Sequence, residues 1–133
     1  MHPIGEVYLV CRKYMSESLK KKYIEIRPWG KFEQFTHGQP STVKILTVNS
    51  GQALSLQYHQ KRSEFWKVIS GEAKITVGDV VSQAREGDEF FIVRGQKHRI
   101  QSDDLPVKVL EISFGDFDEN DIVRLEDDYN RTV

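Results

Sequence analysis

Apolar and polar residues alternate in short runs along most of this chain, and the runs are separated by residues that favour turns. Alternation with a period of two is typical of strands with one buried face. Gly78-Asp79 and Arg94-Gly95 are two of the intervening turns. Many short strands at regular spacing predict an all-β jelly roll or small barrel. The strands are expected at residues 23–27, 32–35, 42–48, 53–59, 64–69, 73–77, 80–84, 89–93, 98–101 and 107–114.

The two ends of the chain differ from this pattern. Residues 1–22 are interpreted as an N-terminal extension with an apolar strand, Val7 to Cys11, and a short helix, Glu17 to Lys22. Residues 23–133 are interpreted as one domain, which ends in a polar segment after Asp118 that we expect to be a short helix or tail. A small jelly roll has sheet edges that need cover, and the extension is apolar, so we expect a homodimer.

Composition narrows the class of protein. Of the 133 residues, 38% are hydrophobic and 29% are charged, as in a soluble globular protein. The 19 basic and 20 acidic side chains leave no basic excess for nucleic acid. No apolar run approaches the ~18 residues of a membrane span, and no signal peptide is apparent. Cys11 is the single cysteine, so an intrachain disulfide is excluded, and we expect a cytoplasmic protein.

Candidate metal ligands occur in two strand–turn–strand segments. Gln57 and His59 share one face of a predicted strand, and a hairpin would bring Glu64 back toward His59. His98 follows the turn at Gly95 in the second segment. An amide oxygen, imidazole nitrogens and a carboxylate suit one borderline divalent cation. We expect zinc, with manganese, iron, nickel or cobalt as alternatives.

The spacing of these residues resembles the two sequence motifs of the cupin superfamily. Gly51, then Gln57 and His59, then Glu64 and Gly71 fit the first motif throughout. In the second motif Gly87, Gly95 and His98 fit, whereas Val93 stands where a proline is usual and Ser102 where an asparagine is usual. The resemblance implies a double-stranded β-helix, the jelly-roll barrel of cupins, around a metal ion.

A narrower resemblance extends from residue 23 to residue 131. The segments that carry it are Arg27-Pro-Trp-Gly30, Val43-Lys-Ile-Leu46, Leu54-Ser-Leu-Gln-Tyr-His59 with Arg62, Glu64-Phe-Trp66, His98-Arg99 and the stretch from Glu119 to Arg131. In these segments the chain is similar to the C-terminal cupin domain of type II mannose-6-phosphate isomerases, which is often fused to a mannose-1-phosphate guanylyltransferase. No glycine-rich nucleotide-binding segment precedes it here, so we expect a stand-alone domain.

The resemblance implies metal-dependent interconversion of mannose 6-phosphate and fructose 6-phosphate, in nucleotide-sugar and polysaccharide biosynthesis. An enediol mechanism needs a base, and Glu111 lies in the middle of an apolar strand, where a carboxylate is either paired or functional. A guanidinium suits bidentate contact with phosphate. The candidate catalytic residues are Glu111, Arg62 and Lys44, and the candidate substrate-binding residues are Arg62, Arg99, Arg124 and Arg131.

Several positions depart from the family pattern and leave other functions open. Tyr58 replaces one residue of a histidine-rich run, Phe65 stands where a histidine is usual, and Ser113 stands where a glutamine is common. One alternative is an isomerase or epimerase acting on another sugar phosphate or a nucleotide sugar. Another is a non-catalytic sugar-binding cupin. A third is an iron-dependent dioxygenase, since two histidines and one carboxylate also suit non-haem iron.

Overall fold

A computed structural model describes residues 23–131 of the chain, and their secondary structure consists of strands. The ten strands expected from alternation are confirmed to within three residues at each end. The strand and helix expected within residues 1–22 lie outside the described residues. The strands are β1 Tyr23–Arg27, β2 Gly30–Gln34, β3 Ser41–Val48, β4 Leu56–Tyr58, β5 Ser63–Ser70, β6 Ala73–Val77, β7 Val80–Ala84, β8 Glu89–Ile92, β9 His98–Ser102, β10 Val107–Phe114 and β11 Val123–Glu126.

Two compact units divide at Pro40, and the first contributes one hairpin to the described residues. β1 and β2 pair antiparallel with Arg27 opposite Gly30. Gly30 adopts a φ of 144°, a value that a residue with a side chain rarely adopts, and it allows the tight reversal. Within the hairpin the rings of Tyr23 and Phe32 meet edge to face at 5.9 Å. The division into an extension of residues 1–22 and a domain of residues 23–133 stays a prediction.

The second unit contains two antiparallel sheets. One has four strands in the order β3-β10-β5-β8, and the other has five in the order β11-β4-β9-β6-β7. Because consecutive strands often lie in different sheets, the chain crosses repeatedly between the two layers, as in a jelly roll. β4 is short because only Leu56–Tyr58 pairs regularly, although Ala53 adds an isolated bridge to Gln101.

The apolar core lies between the two sheets. Trp66 and Val109 of the four-stranded sheet and Ile75 and Ile100 of the five-stranded sheet are completely buried. These side chains occupy alternate positions of their strands, as the sequence pattern predicts. Burial of a side chain of this size contributes about 1.5–3 kcal/mol. The core fills one end of the space between the sheets and leaves the other end to polar side chains.

Of the two alternatives expected after Asp118, a short helix or a tail, no helix forms in the described residues. Only a turn forms there, in which Asn120 N donates to the Asp118 carboxylate and Asp121 N donates to its carbonyl oxygen. The chain then extends into β11, which pairs with β4. Without β11, β4 would be a sheet edge with unpaired backbone groups, and pairing satisfies them. Within residues 23–131 no helix is long and apolar enough to cross a membrane.

Candidate metal centre

Strand register places polar side chains in one row on the inner face of the five-stranded sheet. His98 of β9 lies opposite Gln57 of β4, and Gln57 lies opposite Arg124 of β11. Residues directly opposite each other in an antiparallel pair project to the same side of the sheet. His59 follows two positions after Gln57 and therefore shares its side. Three adjacent strands thus contribute polar groups to one end of the barrel.

The four-stranded sheet contributes acidic and hydroxyl groups that face this row. Glu64 of β5 lies opposite Ser113 of β10, and Glu111 lies opposite both Trp66 and Lys44. These residues interrupt an otherwise apolar inner face. Glu64 and Ser113 are each 1% exposed and Glu111 is 7% exposed. Burial of carboxylates at this depth is costly unless they share a proton or meet a cation.

The nitrogen and oxygen atoms of three of these residues converge on one point. The His59 Nε2 atom lies 2.8 Å from Glu64 Oε1 and 3.2 Å from His98 Nε2. The distance from His98 Nε2 to Glu64 Oε1 is 3.8 Å. Ligand atoms about 2.0–2.1 Å from a tetrahedral zinc ion lie about 3.3 Å from each other. The three separations bracket that value, so a divalent cation fits this set of donors.

The protonation of both histidines also favours a cation. The Nδ1 atom of His59 donates to the carbonyl oxygen of Asp121 at 2.6 Å, and that of His98 donates to the carbonyl oxygen of Gln96 at 2.9 Å. A carbonyl oxygen only accepts, so each Nδ1 carries a proton, and a ring with no second proton has its lone pair on the Nε2 atom that faces the cluster. Two such lone pairs and a carboxylate oxygen repel one another unless a proton or a metal ion lies between them.

Gln57 joins the cluster with its amide nitrogen rather than its oxygen. The Nε2 atom lies 3.4 Å from His59 Nε2, and Oε1 accepts a hydrogen bond from the hydroxyl of Ser55. Coordination through oxygen would need rotation of the amide by half a turn, after which the Ser55 hydroxyl would accept instead of donate. The structure therefore brings the four sequence-predicted ligands together, with three already oriented as donors.

Arg62 is held against the cluster. Its Nη2 lies 3.2 Å from His59 Nε2, and its Nε lies 3.3 Å from Glu64 Oε1. Nη1 donates to the carbonyl oxygen of Asp118, and the guanidinium lies 4.4 Å from the centre of the Phe117 ring. The side chain of Arg62 is 7% exposed. Arg62 therefore supports the ligands as well as contributing charge.

Lys44 contacts the same aromatic ring. Its ammonium is 4.4 Å from the centre of the Phe117 ring and 3.0 Å from the carboxylate of Glu119. Its backbone lies opposite Glu111 in the sheet, and its charge lowers the pKa of that carboxyl. Lys44 is thus close enough to Glu111 to influence its ionisation, as expected for a residue of the site.

Glu64 and Glu111 form a hydrogen-bonded carboxyl pair with divergent pKa values. Burial raises the pKa of Glu111 to about 8, and the hydrogen bond and charge of Glu64 add to the effect. Burial also opposes ionisation of Glu64, but hydrogen bonds from His59 and Glu111 and the histidine charges hold its pKa below the usual range. Trp66 Nε1 lies 3.2 Å from Glu64 and 3.1 Å from Glu111. The pair can therefore hold one proton, on Glu111.

Replacement of Glu111 by glutamine is expected to change how the stability of the metal-free protein depends on pH. A native pKa of about 8 lies above the usual 4.5, so native Glu111 keeps a proton that the unfolded chain loses. Its contribution to the free energy of unfolding is complete below pH 4.5 and is lost as the pH rises to about 8. The loss should be on the order of 1 to 4 kcal/mol, measured by urea denaturation.

His98 serves as the internal reference for this measurement. Burial lowers the pKa of His98, which makes stability rise with pH near its usual value of 6.5 in both proteins. The difference between wild type and Glu111→Gln therefore isolates Glu111. Equal pH slopes in the two proteins would show that Glu111 does not hold the proton.

The structure separates two of the predicted substrate-binding arginines from the cluster. Arg99 donates to the carbonyl oxygen of Leu54 and pairs with Glu126 and Asp128, on the side of β9 that faces away from His98. Arg131 is bound by Asp127 through two hydrogen bonds. It lines a different cavity of about 500 Å³ with residues 47–50, 52–54 and 129.

Two buried polar atoms in the described part of the chain have no hydrogen-bond partner, and both lie on the inner faces beside the cluster. They are the Nε atom of Arg124 and the Oγ atom of Ser113. Arg124 shares a row with Gln57, and Ser113 shares a row with Glu64. A buried unpaired donor costs about 1–3 kcal/mol, which a ligand with acceptor oxygens would offset.

The sequence did not indicate three contributors to the site. Asp121 binds the His59 ring and the Phe117 ring contacts the cations of Lys44 and Arg62, whereas Ser113, which faces Glu64, stood out only as a departure from the family. Asp121 lies 62 positions after His59, so no local periodicity could connect them. The acidic residue directly before the apolar Ile122-Val123 pair was the available signal.

The two-layered sheet with a buried histidine and carboxylate set defines the class as a cupin fold. A structural relative is the cupin-2 domain protein Rru_A2000 of Rhodospirillum rubrum, with a TM-score of 0.57 and 17% identity. The match covers 75% of this chain and 66% of that chain. At this identity the likeness bears on the fold alone.

Sequence comparison gives the family. Residues 15–127 match the model of the mannose-6-phosphate isomerase C-terminal domain, and the chain belongs to that family. Xanthan biosynthesis protein XanB of Xanthomonas campestris pv. campestris is 43% identical over 80% of this chain and 23% of its own length. Mannose-1-phosphate guanylyltransferase ManC of Salmonella typhimurium is 31% identical over 98% of this chain and 28% of its own length. The chain therefore spans about a quarter of these relatives.

Proposed function

We propose that this chain is a metal-dependent sugar-phosphate isomerase that interconverts mannose 6-phosphate and fructose 6-phosphate. The observation that carries the proposal is the convergence of His59 Nε2, His98 Nε2 and Glu64 Oε1, all from buried residues, within 4.8 Å of one another. Membership in the isomerase C-terminal family supports the choice of substrate. Similarity to the xanthan biosynthesis protein XanB and the mannose-1-phosphate guanylyltransferase ManC supports a role in polysaccharide and nucleotide-sugar biosynthesis.

The proposed metal site consists of His59, Glu64 and His98, with Gln57 as the fourth ligand after amide rotation. Zinc is the proposed ion, because two imidazoles, one carboxylate and one amide oxygen suit a borderline cation. When bound, the ion supplies positive charge that stabilises negative charge developing on the sugar oxygens during enolisation.

The proposed base is Glu111. The isomerisation moves one proton between C1 and C2 of the sugar, with a second proton exchanged between the two oxygens. A carboxyl with a pKa of about 8 is near the operating pH of a cell and can both accept and return a proton. Lys44 faces it and favours its ionised form. Arg62 holds the ligands, and Arg124 is proposed to bind the phosphate through its unpaired buried donor.

Reconstitution with metal tests the proposal. Protein stripped with a chelator should show no turnover, and zinc, manganese, cobalt, nickel or ferrous ion should each be added back separately. Mannose 6-phosphate, other hexose phosphates and nucleotide sugars are then screened by product analysis. Mannose 6-phosphate is expected to give fructose 6-phosphate only in the metal-loaded protein, and Glu111→Gln is expected to lower kcat by about 10²- to 10⁴-fold.

Three other outcomes would contradict the proposal in different ways. Binding of sugar phosphates without turnover would indicate a sugar-binding module. Oxygen consumption with iron alone would indicate a dioxygenase, since two histidines and one carboxylate also suit non-haem iron. Turnover of a different hexose phosphate or nucleotide sugar would retain the isomerase class and change the substrate.

A further inference from the structure

The two histidines of the cluster are oriented by different parts of the chain. The Nδ1 of His98 is bound by Gln96, two residues earlier in the same turn. The Nδ1 of His59 is bound by Asp121, which lies 62 positions away in the segment before β11. The geometry of His98 is therefore local, whereas that of His59 depends on where the C-terminal segment lies.

Asp121 makes three hydrogen bonds to the stretch that begins at His59. Its carbonyl oxygen accepts from His59 Nδ1 at 2.6 Å. Its carboxylate accepts from the backbone nitrogens of Gln60 and Lys61, each at 2.9 Å. The same residue thus fixes the ring and the backbone that carries the ring. Two backbone donors shared between two carboxylate oxygens determine the position of Asp121 as well as that of the turn.

We infer that Asp121 is the positioning residue of the metal centre: its carboxylate clamps the turn after His59 so that its carbonyl holds the imidazole with the proton on Nδ1 and the lone pair on Nε2. The inference rests on the proposed metal site. A partner for the second nitrogen of a metal-binding histidine fixes its tautomer and ring orientation. The clamp also aligns β11, which places Val123 opposite Tyr58 and Arg124 opposite Gln57.

Replacement of Asp121 is expected to weaken metal binding without preventing folding. Its hydrogen bonds to Gln60 and Lys61 are exposed to solvent, so water can replace the carboxylate at those donors. The turn then loses its fixed distance from the carbonyl oxygen. Asp121→Ala should weaken zinc affinity by about 10- to 100-fold, the usual effect of a lost outer partner. Asp121→Asn keeps one acceptor oxygen and should lose less.

Two measurements separate positioning from a purely structural role. In the metal-free protein, imidazole ¹⁵N shifts should report the Nδ1-protonated tautomer of His59 in wild type and a tautomer mixture in Asp121→Ala. In the cobalt-loaded protein, the visible ligand-field spectrum should shift in the variant because the ring angle changes. Zinc affinity is measured in parallel by competition with a chromophoric chelator.

Asp127→Ala is the matched control. Asp127 is also a carboxylate of the C-terminal segment, and it accepts hydrogen bonds from the backbone nitrogens of Tyr129 and Arg131 and from the Arg131 guanidinium. None of these groups contacts the cluster. Loss of Asp127 should therefore loosen the segment without changing zinc affinity, the tautomer of His59 or the cobalt spectrum.

The results that would overturn the role of Asp121 differ from those that would overturn the proposed metal site. If wild type binds no zinc or cobalt, the metal site fails, and this inference fails with it. If wild type binds metal but Asp121→Ala and Asp121→Asn keep its affinity, tautomer and spectrum, the metal site stands and the role of Asp121 is overturned. Equal losses in Asp121→Ala and Asp127→Ala would also overturn it, because they would indicate a general effect of the segment.

Discussion

Replacement of both His59 and His98 by alanine is expected to remove bound metal almost completely. Wild type purified without chelator should contain about one divalent ion per chain. The variant loses two of the three donor atoms that converge within 4.8 Å. What remains is Glu64 with Gln57, and one carboxylate and one amide oxygen do not hold a transition metal tightly at neutral pH. The loss of affinity should exceed the roughly 10- to 100-fold cost of losing an outer partner.

Elemental analysis measures the metal content of each protein, and a product assay measures isomerisation. Metal content and isomerisation of mannose 6-phosphate should disappear together. His37→Ala is the matched control, because His37 is an exposed histidine that contacts Gln34 within the N-terminal hairpin and has no part in the cluster. Full metal content in the double variant would place the ion elsewhere in the chain.

Folding of the double variant needs its own check, because both rings are nearly completely buried. His59 is 3% exposed and His98 is 1% exposed, and removal of such side chains leaves cavities. Circular dichroism and thermal unfolding of the metal-free forms of both proteins show whether the variant retains its fold. A folded variant without metal gives the expected result, whereas a folded variant with wild-type metal content contradicts it.

Arg124→Ala is expected to lower kcat/KM for mannose 6-phosphate by roughly 30-fold to several thousand-fold. Removal of one partner from a buried charged contact costs about 2 to 5 kcal/mol, which corresponds to that range. The guanidinium Nε of Arg124 is buried beside Gln57 and donates to no protein acceptor, so its N–H is available to a phosphate oxygen. Efficiency toward unphosphorylated mannose should change far less.

The other predicted arginines give matched comparisons. Arg131 is already bound by Asp127 and lines a separate cavity, so Arg131→Ala should keep near wild-type efficiency with both sugars. Arg62 contacts His59 and Glu64, so Arg62→Ala should lower efficiency with both sugars alike. A phosphate-selective loss in Arg131→Ala, together with none in Arg124→Ala, would move the phosphate site to that separate cavity.

Local pattern predicted most of the fold because each strand carries its own alternation. The spacing of the motif also predicted that the ligand side chains meet, because it placed His59 and Glu64 on either side of one turn. β11 was missed because Val123–Glu126 is short and mostly exposed, so its conformation comes from pairing with β4 rather than from its own pattern. Long-range pairing of this kind has no signature in the segment itself.

The sequence identified the charged candidate residues, but it did not predict which group each of them binds. Arg62, Arg99 and Arg131 are equally basic in the sequence, yet each has a different partner in the structure. Arg62 and Arg131 meet carboxylates two and four positions away, whereas Arg99 meets carboxylates of a distant segment. The sequence marked Arg124 as one of several candidates, and only the structure distinguished it by its buried Nε.

Burial of the cluster has a kinetic consequence. Glu64 and His98 are each 1% exposed, so the proposed turnover of a sugar phosphate would require a transient opening. The segment after β10 is our candidate for this opening, because Gly115 has a φ of 99° and the Phe117 ring contacts the Lys44 and Arg62 side chains. Motions of such loops occur in microseconds to milliseconds and can set the turnover rate of an enzyme. The same burial would slow the dissociation of a bound metal ion.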